Sequence, residues 1–241
     1  MSQFKVVSYP TAAALAAAAA AAWLDAVAAA RMAGRGFTVA VSGGRVLRRF
    51  LAESARLAAQ YHVDFSHVRF FWADERCVPP DDPASNFRLA HEAFLHPAHI
   101  PNTNIHRVRG EDTPGLAAEA ASRDMRQVCG TPAGELPVLD LIMLGMGEDG
   151  HVASLFPRDA TTAAAVTAVF LPVADAPKPP PMRVTLGHGP LAAARTVWVL
   201  ASGSGKQAAL RHSLATGGTT PLASVIQHRA ATTIWTDIAW E

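Results

Sequence analysis

An apolar run that ends in glycines constrains the fold of this chain more than any other stretch. Val138–Leu144 carries a single acid among apolar side chains, which is typical of a parallel strand covered on both faces. Glycines permit positive φ and let the backbone approach a ligand closely. We therefore predict a buried strand that delivers a ligand-binding loop. The residues of this loop are Gly145, Gly147, Glu148, Asp149, Gly150 and His151.

Two motifs resemble nucleotide-binding loops. The three glycines of the loop match the G-x-G-x-x-G pattern of dinucleotide sites, with Asp175 at a suitable distance for the ribose contact. Pro157 leaves room for only about two helical turns after Gly150, however, where that fold needs a long helix. Gly203–Lys206 resembles a P-loop, but its first glycine is missing and Gln207 replaces the magnesium-binding hydroxyl. The sequence favours neither a nicotinamide or flavin site nor an ATPase.

The composition argues against nucleic acid and membrane partners. The 241 residues include 21 basic and 20 acidic side chains, for a net charge of +1, so no global field attracts nucleic acid or an anionic membrane. Cys77 and Cys129 are too few for a disulfide framework, and no Cys or His spacing indicates a metal. The alanine-rich stretch Ala12–Ala30 is predicted to be a packed helix, because alanine is weakly hydrophobic and Asp25 interrupts the run. We expect a cytosolic protein.

Strand and helix signals alternate along the chain. Strands are predicted at Phe4–Val7, Phe37–Val41, Val68–Trp72, Val138–Leu144, Val166–Val173, Met182–Leu186, Thr196–Ala201 and Thr232–Trp235. Helices are predicted at Ala12–Ala30 and Val46–Gln60, from Ser85 or Asn86 to Leu95, at Pro114–Cys129, and after Lys206 through Leu214. The alternation predicts an α/β protein with a doubly wound, largely parallel sheet and helices on both faces, in one domain over residues 1–241.

Polar clusters follow two of the predicted strands, at the ends where ligands bind in such sheets. Ser42–Arg45 opens a helix, whose free N–H groups and dipole make a ready anion site, although a plain tight turn is the alternative. Asp74–Arg76 also stands at a strand end. A run of charges more often marks a solvated surface, and from these three residues alone that interpretation is favoured.

Five motifs together resemble one enzyme family. They are Ser42-Gly43-Gly44, WADERCVPPDDPASN at Trp72–Asn86, LDLIMLGMGEDGHVASLFP at Leu139–Pro157, MRVTL at Met182–Leu186 and GSGKQAAL at Gly203–Leu210. In this order they span nearly the whole chain and resemble the 6-phosphogluconolactonases, whose fold is shared with glucosamine-6-phosphate deaminases and sugar-phosphate isomerases. The resemblance implies a cytosolic, cofactor-free hydrolase of 6-phosphoglucono-δ-lactone in the oxidative pentose phosphate pathway. Its partner would be that small lactone, and the protein a monomer or small homo-oligomer.

The chain departs from the family pattern at two places. Arg45–Leu47 replaces the usual Ser/Thr-Thr-Pro after the glycine turn, which removes hydroxyl contacts to a phosphate. Either Arg45 substitutes for those contacts, or phosphate binding depends more on Arg183 and Lys206. The second departure is Gly187, where a threonine is common after R-[IV]-T-L.

The resemblance and the chemistry of a lactone suggest roles for individual residues. Hydrolysis needs an activated water, stabilisation of charge on the carbonyl oxygen and a proton for the ring oxygen. His151 is expected to act first as base and then as acid. Either Asp149 or Asp74 orients it, while Arg76 binds the oxyanion or sugar hydroxyls. The residues expected to bind the substrate and its phosphate are Ser42, Gly43, Gly44, Arg45, Glu75, Asn86, Gly147, Arg183 and Lys206.

Two other functions fit parts of the chain. A glucosamine-6-phosphate deaminase also has an acid at the position of Asp74 and an Asp-Gly-His triplet. Deaminases carry a glutamate five residues after the histidine, however, and this chain has Phe156, which cannot accept a proton. A non-catalytic sugar-phosphate sensor would retain Arg183 and Lys206 but would not need His151, and the helix-turn-helix region typical of such sensors is not found. The lactonase interpretation is therefore preferred.

Overall fold

The computed structural model describes residues 4–157, 167–229 and 231–239. Six strands form a parallel sheet, and they are β1 (Phe4–Ser8), β2 (Phe37–Val41), β3 (Val68–Trp72), β5 (Leu141–Gly145), β8 (Thr196–Ala201) and β9 (Thr232–Thr236). Their order across the sheet is β1-β9-β8-β5-β2-β3. The central strand β5 pairs with β2 and β8, and Leu141, Ile142 and Met143 are buried. The expectation of a doubly covered central strand is confirmed.

Helices connect these strands. Within the described residues they are α1 (Ala12–Met32), α2 (Arg45–Tyr61), α3 (Asn86–Ala90), α4 (Pro114–Val128), α5 (His188–Ala193), α6 (Gln207–Leu214) and α7 (Pro221–Gln227). Helix α3 continues as a π-helical turn over His91–Leu95. Helix α1 packs against α2, and α7 packs against α5 and α6. The alternation of helices with parallel strands confirms the predicted α/β class.

Helix α1 contributes to the core. By length and composition alone it could cross a membrane, but Leu15, Trp23 and Val27 are buried. The Trp23 ring packs against an aromatic cluster, with its centroid 5.1 Å from that of Phe94. The Thr11 hydroxyl caps the helix by accepting from the N–H of Ala14. These contacts confirm the predicted packed helix.

A second, antiparallel sheet was not predicted. It consists of β4 (Asp74–Arg76), β6 (Phe170–Val173) and β7 (Arg183–Leu186), in the order β4-β7-β6. The chain leaves the parallel sheet at Ala73, whose carbonyl accepts from the N–H of Leu186. Asp74 is then paired with Thr185 and Arg76 with Arg183. Strands β6 and β7 fall within runs that were predicted as strands of the largely parallel sheet, and the structure corrects their placement. Strand β4 was not predicted as a strand.

Several element boundaries differ from those predicted. The run at Val138–Leu144 becomes a strand only at Leu141, because Thr38 donates its N–H and hydroxyl to the carboxylate of Asp140. The strand predicted to start at Val166 starts at Phe170, and Val166 itself lies outside the described residues. Helices α5 and α7 are too short for a periodic pattern to reveal.

Candidate active site

A cavity of about 570 Å³ lies at the carboxyl edge of the parallel sheet. It is bordered by the turns that follow β2, β5 and β8, which is where ligands bind in such sheets. The predicted site residues that line it are Ser42, Gly43, Gly44, Arg45, Asp74, Arg76, Gly147, His151, Arg183 and Lys206. Side chains from distant parts of the chain thus meet at one place.

His151 is held by Asp149. Its Nδ1 lies 2.5 Å from Oδ1 of Asp149, and the His151 side chain is 17% exposed. An ionised carboxylate only accepts hydrogen bonds, so Nδ1 carries the proton and Nε2 is left with a basic lone pair. Asp74, the other candidate, instead accepts from the Ser154 hydroxyl at 2.9 Å. The geometry therefore selects Asp149 as the partner of the imidazole.

The surroundings of His151 favour its neutral form. Burial lowers the pKa of His151, and Lys178 lowers it further, whereas Asp149 and Asp74 raise it. The ring of Phe156 lies 4.6 Å from the imidazole, centroid to centroid, and Phe156 is itself buried. A neutral imidazole can accept a proton, so the site suits a general base near neutral pH.

Gly147 makes room for the His151–Asp149 pair. A Cβ at this position would lie 2.0 Å from Nδ1 of His151 and 2.4 Å from Oδ1 of Asp149. The Gly147 N–H donates to the carbonyl of His151 at 2.9 Å, and its carbonyl accepts from Gly150. The loop therefore folds back tightly on itself.

The glycine turn after β2 also requires a glycine. A Cβ at Gly43 would lie 1.9 Å from Oδ1 of Asn86. Gly44 has a φ of 113°, and no side chain caps α2, which starts at Arg45. The first N–H groups of the helix are consequently available to an anion.

Cationic side chains surround the cavity. Arg183 is buried, and it donates from Nη2 to the Lys178 carbonyl at 2.7 Å and from Nε to the Pro180 carbonyl at 3.0 Å. Burial lowers the pKa of Arg183. Burial is also the main cause that lowers the pKa of Lys206, and nearby Arg45 lowers it further. Crowded, partly desolvated cations of this kind favour binding of an anion.

Arg76 is held at the cavity by the proline-rich loop. Its Nη1 donates to the carbonyl of Ala84 at 2.6 Å. Its Nε is buried and has no partner among the described residues. Arg76 can therefore present unused N–H donors to a ligand.

Glu75 and Asn86, which were predicted to bind the substrate, do not line the cavity. The Glu75 carboxylate accepts from the N–H groups of Asn86 and Phe87, each at 2.7 Å, at the start of α3. Burial raises the pKa of Glu75 to about 7, although these donors favour its charged form. Asn86 donates to the carbonyl of Asp74 at 2.8 Å. Both residues hold the cavity wall in place.

The charged segment Asp74–Arg76 is not a solvated surface. Asp74 is 3% exposed and Glu75 is 2% exposed. The interpretation favoured from those residues alone is wrong, because the second sheet and α3 cover the segment.

Lys178 and Arg49 also line the cavity, although neither was among the predicted site residues. The Lys178 ammonium lies 3.7 Å from Oδ2 of Asp149, whereas the imidazole of His151 contacts Oδ1. Lys178 is the only cation in the proline-rich segment Pro177–Pro181, and that isolation was the available signal. Arg49 lies one turn after Arg45 on α2, so its position on the helix face could have been inferred.

Comparison with known proteins gives a consistent picture. The family model described as "Glucosamine-6-phosphate isomerases/6-phosphogluconolactonase" matches residues 10–235. The chain is 35% identical to a 6-phosphogluconolactonase of Mycobacterium tuberculosis over 195 residues, 78% of this chain and 76% of that protein. It is 44% identical to one of Treponema pallidum over 121 residues, which span about half of each protein (50% and 49%). The solved 6-phosphogluconolactonase of Trypanosoma brucei superposes with a TM-score of 0.85 at 26% identity, over 96% of this chain and 95% of that one.

Proposed function

The chain belongs to the glucosamine-6-phosphate isomerase/6-phosphogluconolactonase family, and we propose that it hydrolyses 6-phospho-D-glucono-1,5-lactone to 6-phosphogluconate. This reaction would place it in the oxidative pentose phosphate pathway of the cytosol, as a single catalytic unit. The observation that carries the proposal is the 2.5 Å contact between Asp149 and His151 in a cavity that also contains Arg183 and Lys206. An acid–base group and an anion site are thus available to one small ligand.

His151 performs both proton transfers in this proposal. Nε2 accepts a proton from water as the water oxygen bonds to the lactone carbonyl carbon, and the carbonyl π electrons move to oxygen. When the carbonyl re-forms, the bond from carbon to the ring oxygen breaks, and the imidazolium returns its proton to that oxygen. The new carboxylic acid then loses its own proton to solvent. Asp149 stabilises the imidazolium between the two transfers.

Arg76 is proposed to stabilise charge on the carbonyl oxygen. Its buried Nε has no partner among the described residues, and a guanidinium N–H aimed at a developing oxyanion is worth most where water is excluded. The phosphate is proposed to bind at the other side of the cavity. Lys206, Arg45 and the N–H groups at the start of α2 would hold it there.

Phe156 favours lactone hydrolysis over deamination. The residue is 3% exposed and its ring contacts the imidazole. A phenyl ring at this position supplies no second carboxylate to assist ring opening. A pure sugar-phosphate sensor is disfavoured for another reason, because it would not need a histidine held in a single tautomer by a carboxylate.

Steady-state kinetics on freshly generated lactone, corrected for spontaneous hydrolysis, test this proposal. Lys206→Ala should raise KM roughly 10- to 100-fold with little change in kcat, because it removes a charge-assisted contact to the phosphate. Arg183→Ala should change KM and kcat together, because Arg183 lines the cavity and also anchors the loop that carries Lys178.

The matched control is Lys5→Ala. Lys5 is an exposed lysine of the edge strand β1, so its replacement should leave KM and kcat unchanged. With glucono-δ-lactone, which has no phosphate, Lys206→Ala should behave like the unmodified protein. Wild-type turnover no faster than the spontaneous reaction would refute the proposed function. Unchanged kinetics in both cavity variants would show that the phosphate binds elsewhere.

A further inference from the structure

Ser154 lies between two buried groups of opposite charge. Its Oγ is 2.9 Å from Oδ2 of Asp74 and 3.4 Å from Nη1 of Arg183. All three residues are buried, at 0%, 3% and 4% exposure. The hydroxyl therefore connects β4 with β7 through the loop that carries the histidine.

The direction of these hydrogen bonds follows from proton counting. A carboxylate can only accept and a guanidinium can only donate, while a serine hydroxyl has one proton and two lone pairs. Ser154 must therefore donate to Asp74 and accept from Arg183. Its own N–H donates to the Thr185 hydroxyl at 3.1 Å, which fixes the position of the residue.

This arrangement leaves one carboxylate oxygen of Asp74 without a hydrogen-bond donor. Oδ1 is buried and has no partner among the described residues, although Asp74 lines the cavity. A buried carboxylate oxygen without a donor is unfavourable. A hydroxyl group of a ligand in the cavity would supply the missing donor.

We infer that Ser154 is a positioning residue, which holds Asp74 apart from Arg183 so that Oδ1 of Asp74 accepts a hydrogen bond from a hydroxyl of the bound sugar lactone. The inference rests on the proposed function. Without the serine hydroxyl, the carboxylate and the guanidinium would pair directly, as such groups do when nothing separates them. Oδ1 would then be drawn away from the ligand.

The test is a double-mutant cycle on lactone hydrolysis, with the unmodified protein, Ser154→Ala, Asp74→Asn and the double variant. Ser154→Ala should lower kcat/KM about 10- to 100-fold, and Asp74→Asn at least as much. Because both changes remove the same contact, the double variant should fall no more than about twofold below Asp74→Asn alone.

Ser54→Ala is the matched control. Ser54 is equally buried, but its hydroxyl donates to the Phe50 carbonyl within α2 at 2.8 Å, so its loss should leave kcat/KM unchanged. Monodeoxy analogues of the lactone give a readout that a merely structural role would not affect. The analogue that lacks the hydroxyl bound by Asp74 should be hydrolysed at the same rate by Ser154→Ala and the unmodified protein.

Several results would overturn the inference. These are an unchanged kcat/KM in Ser154→Ala, losses that simply add in the double variant, or an equal effect of Ser154→Ala on every analogue. If Ser154→Ala does not fold, Ser154→Cys, which keeps a weaker donor, takes its place in the cycle. It should lower kcat/KM less than Asp74→Asn does, and a purely additive loss in the corresponding double variant would also overturn the inference. An unmodified protein without lactonase activity would refute the proposed function instead, so the two failures are distinguishable.

Discussion

Replacing His151 with asparagine should lower kcat on the phosphorylated lactone by about 10²- to 10⁴-fold, the range typical of a lost general acid–base group. Asparagine can form hydrogen bonds but cannot take a proton from water and return it to the ring oxygen. Affinity for 6-phosphogluconate, measured by titration calorimetry, should stay close to that of the unmodified protein, because the phosphate is proposed to bind at the Lys206 side of the cavity.

His62→Asn is the matched control for this substitution. His62 ends α2 with a φ of 52°, a left-handed conformation that asparagine accepts well, and it does not line the cavity. This variant should retain full activity. If His151→Asn kept near wild-type turnover, His151 would not be the general base.

Gly147→Ala should lower kcat by about 100-fold, the loss that a displacement of roughly 1 Å in a reacting group can cause. The added Cβ would lie 2.0 Å from Nδ1 of His151 and 2.4 Å from Oδ1 of Asp149. Both side chains must therefore move. Because they lie at the edge of the cavity and not in the main hydrophobic core, the melting temperature should change little.

Gly115→Ala tests whether any added methyl has this effect. A Cβ at Gly115 meets nothing within 4 Å, so this change in the first turn of α4 should be neutral or slightly stabilising. Wild-type kcat in Gly147→Ala would show that the His151–Asp149 contact does not govern turnover. A large fall in melting temperature with unchanged kcat would assign Gly147 a structural role only.

The sequence was most informative where strong local patterns coincide with buried strands. The bounds of β2, β3 and β8 are those predicted, because each mostly apolar run is followed within two residues by a serine, a glycine or a charged residue. The loop at Gly145–His151 was predicted because the apolar run before it ends in glycines. Its three glycines, two carboxylates and one histidine are not the pattern that packing alone would select.

Contacts between distant segments could not be read from local patterns. Strand β4 has three residues, and its partner β7 starts at Arg183, so no periodicity reveals the second sheet. Glu75 was predicted to bind the substrate. Its carboxylate accepts instead from the N–H groups of Asn86 and Phe87, which lie on a helix that only the fold places beside it. The choice between Asp149 and Asp74 likewise depended on a distance between side chains.

We propose that this site hydrolyses a sugar-phosphate lactone and does not deaminate an amino sugar. One preparation, assayed in parallel for hydrolysis of 6-phosphoglucono-δ-lactone and for ammonia release from glucosamine 6-phosphate, tests it most directly. We expect lactone turnover far above the spontaneous rate and no ammonia, since Phe156 occupies the place of a deaminase glutamate. Phe156→Glu should not release ammonia either, because substrate positioning would also have to change. Ammonia release by the unmodified protein at a rate comparable to lactone hydrolysis would show that the site is not specific for a lactone.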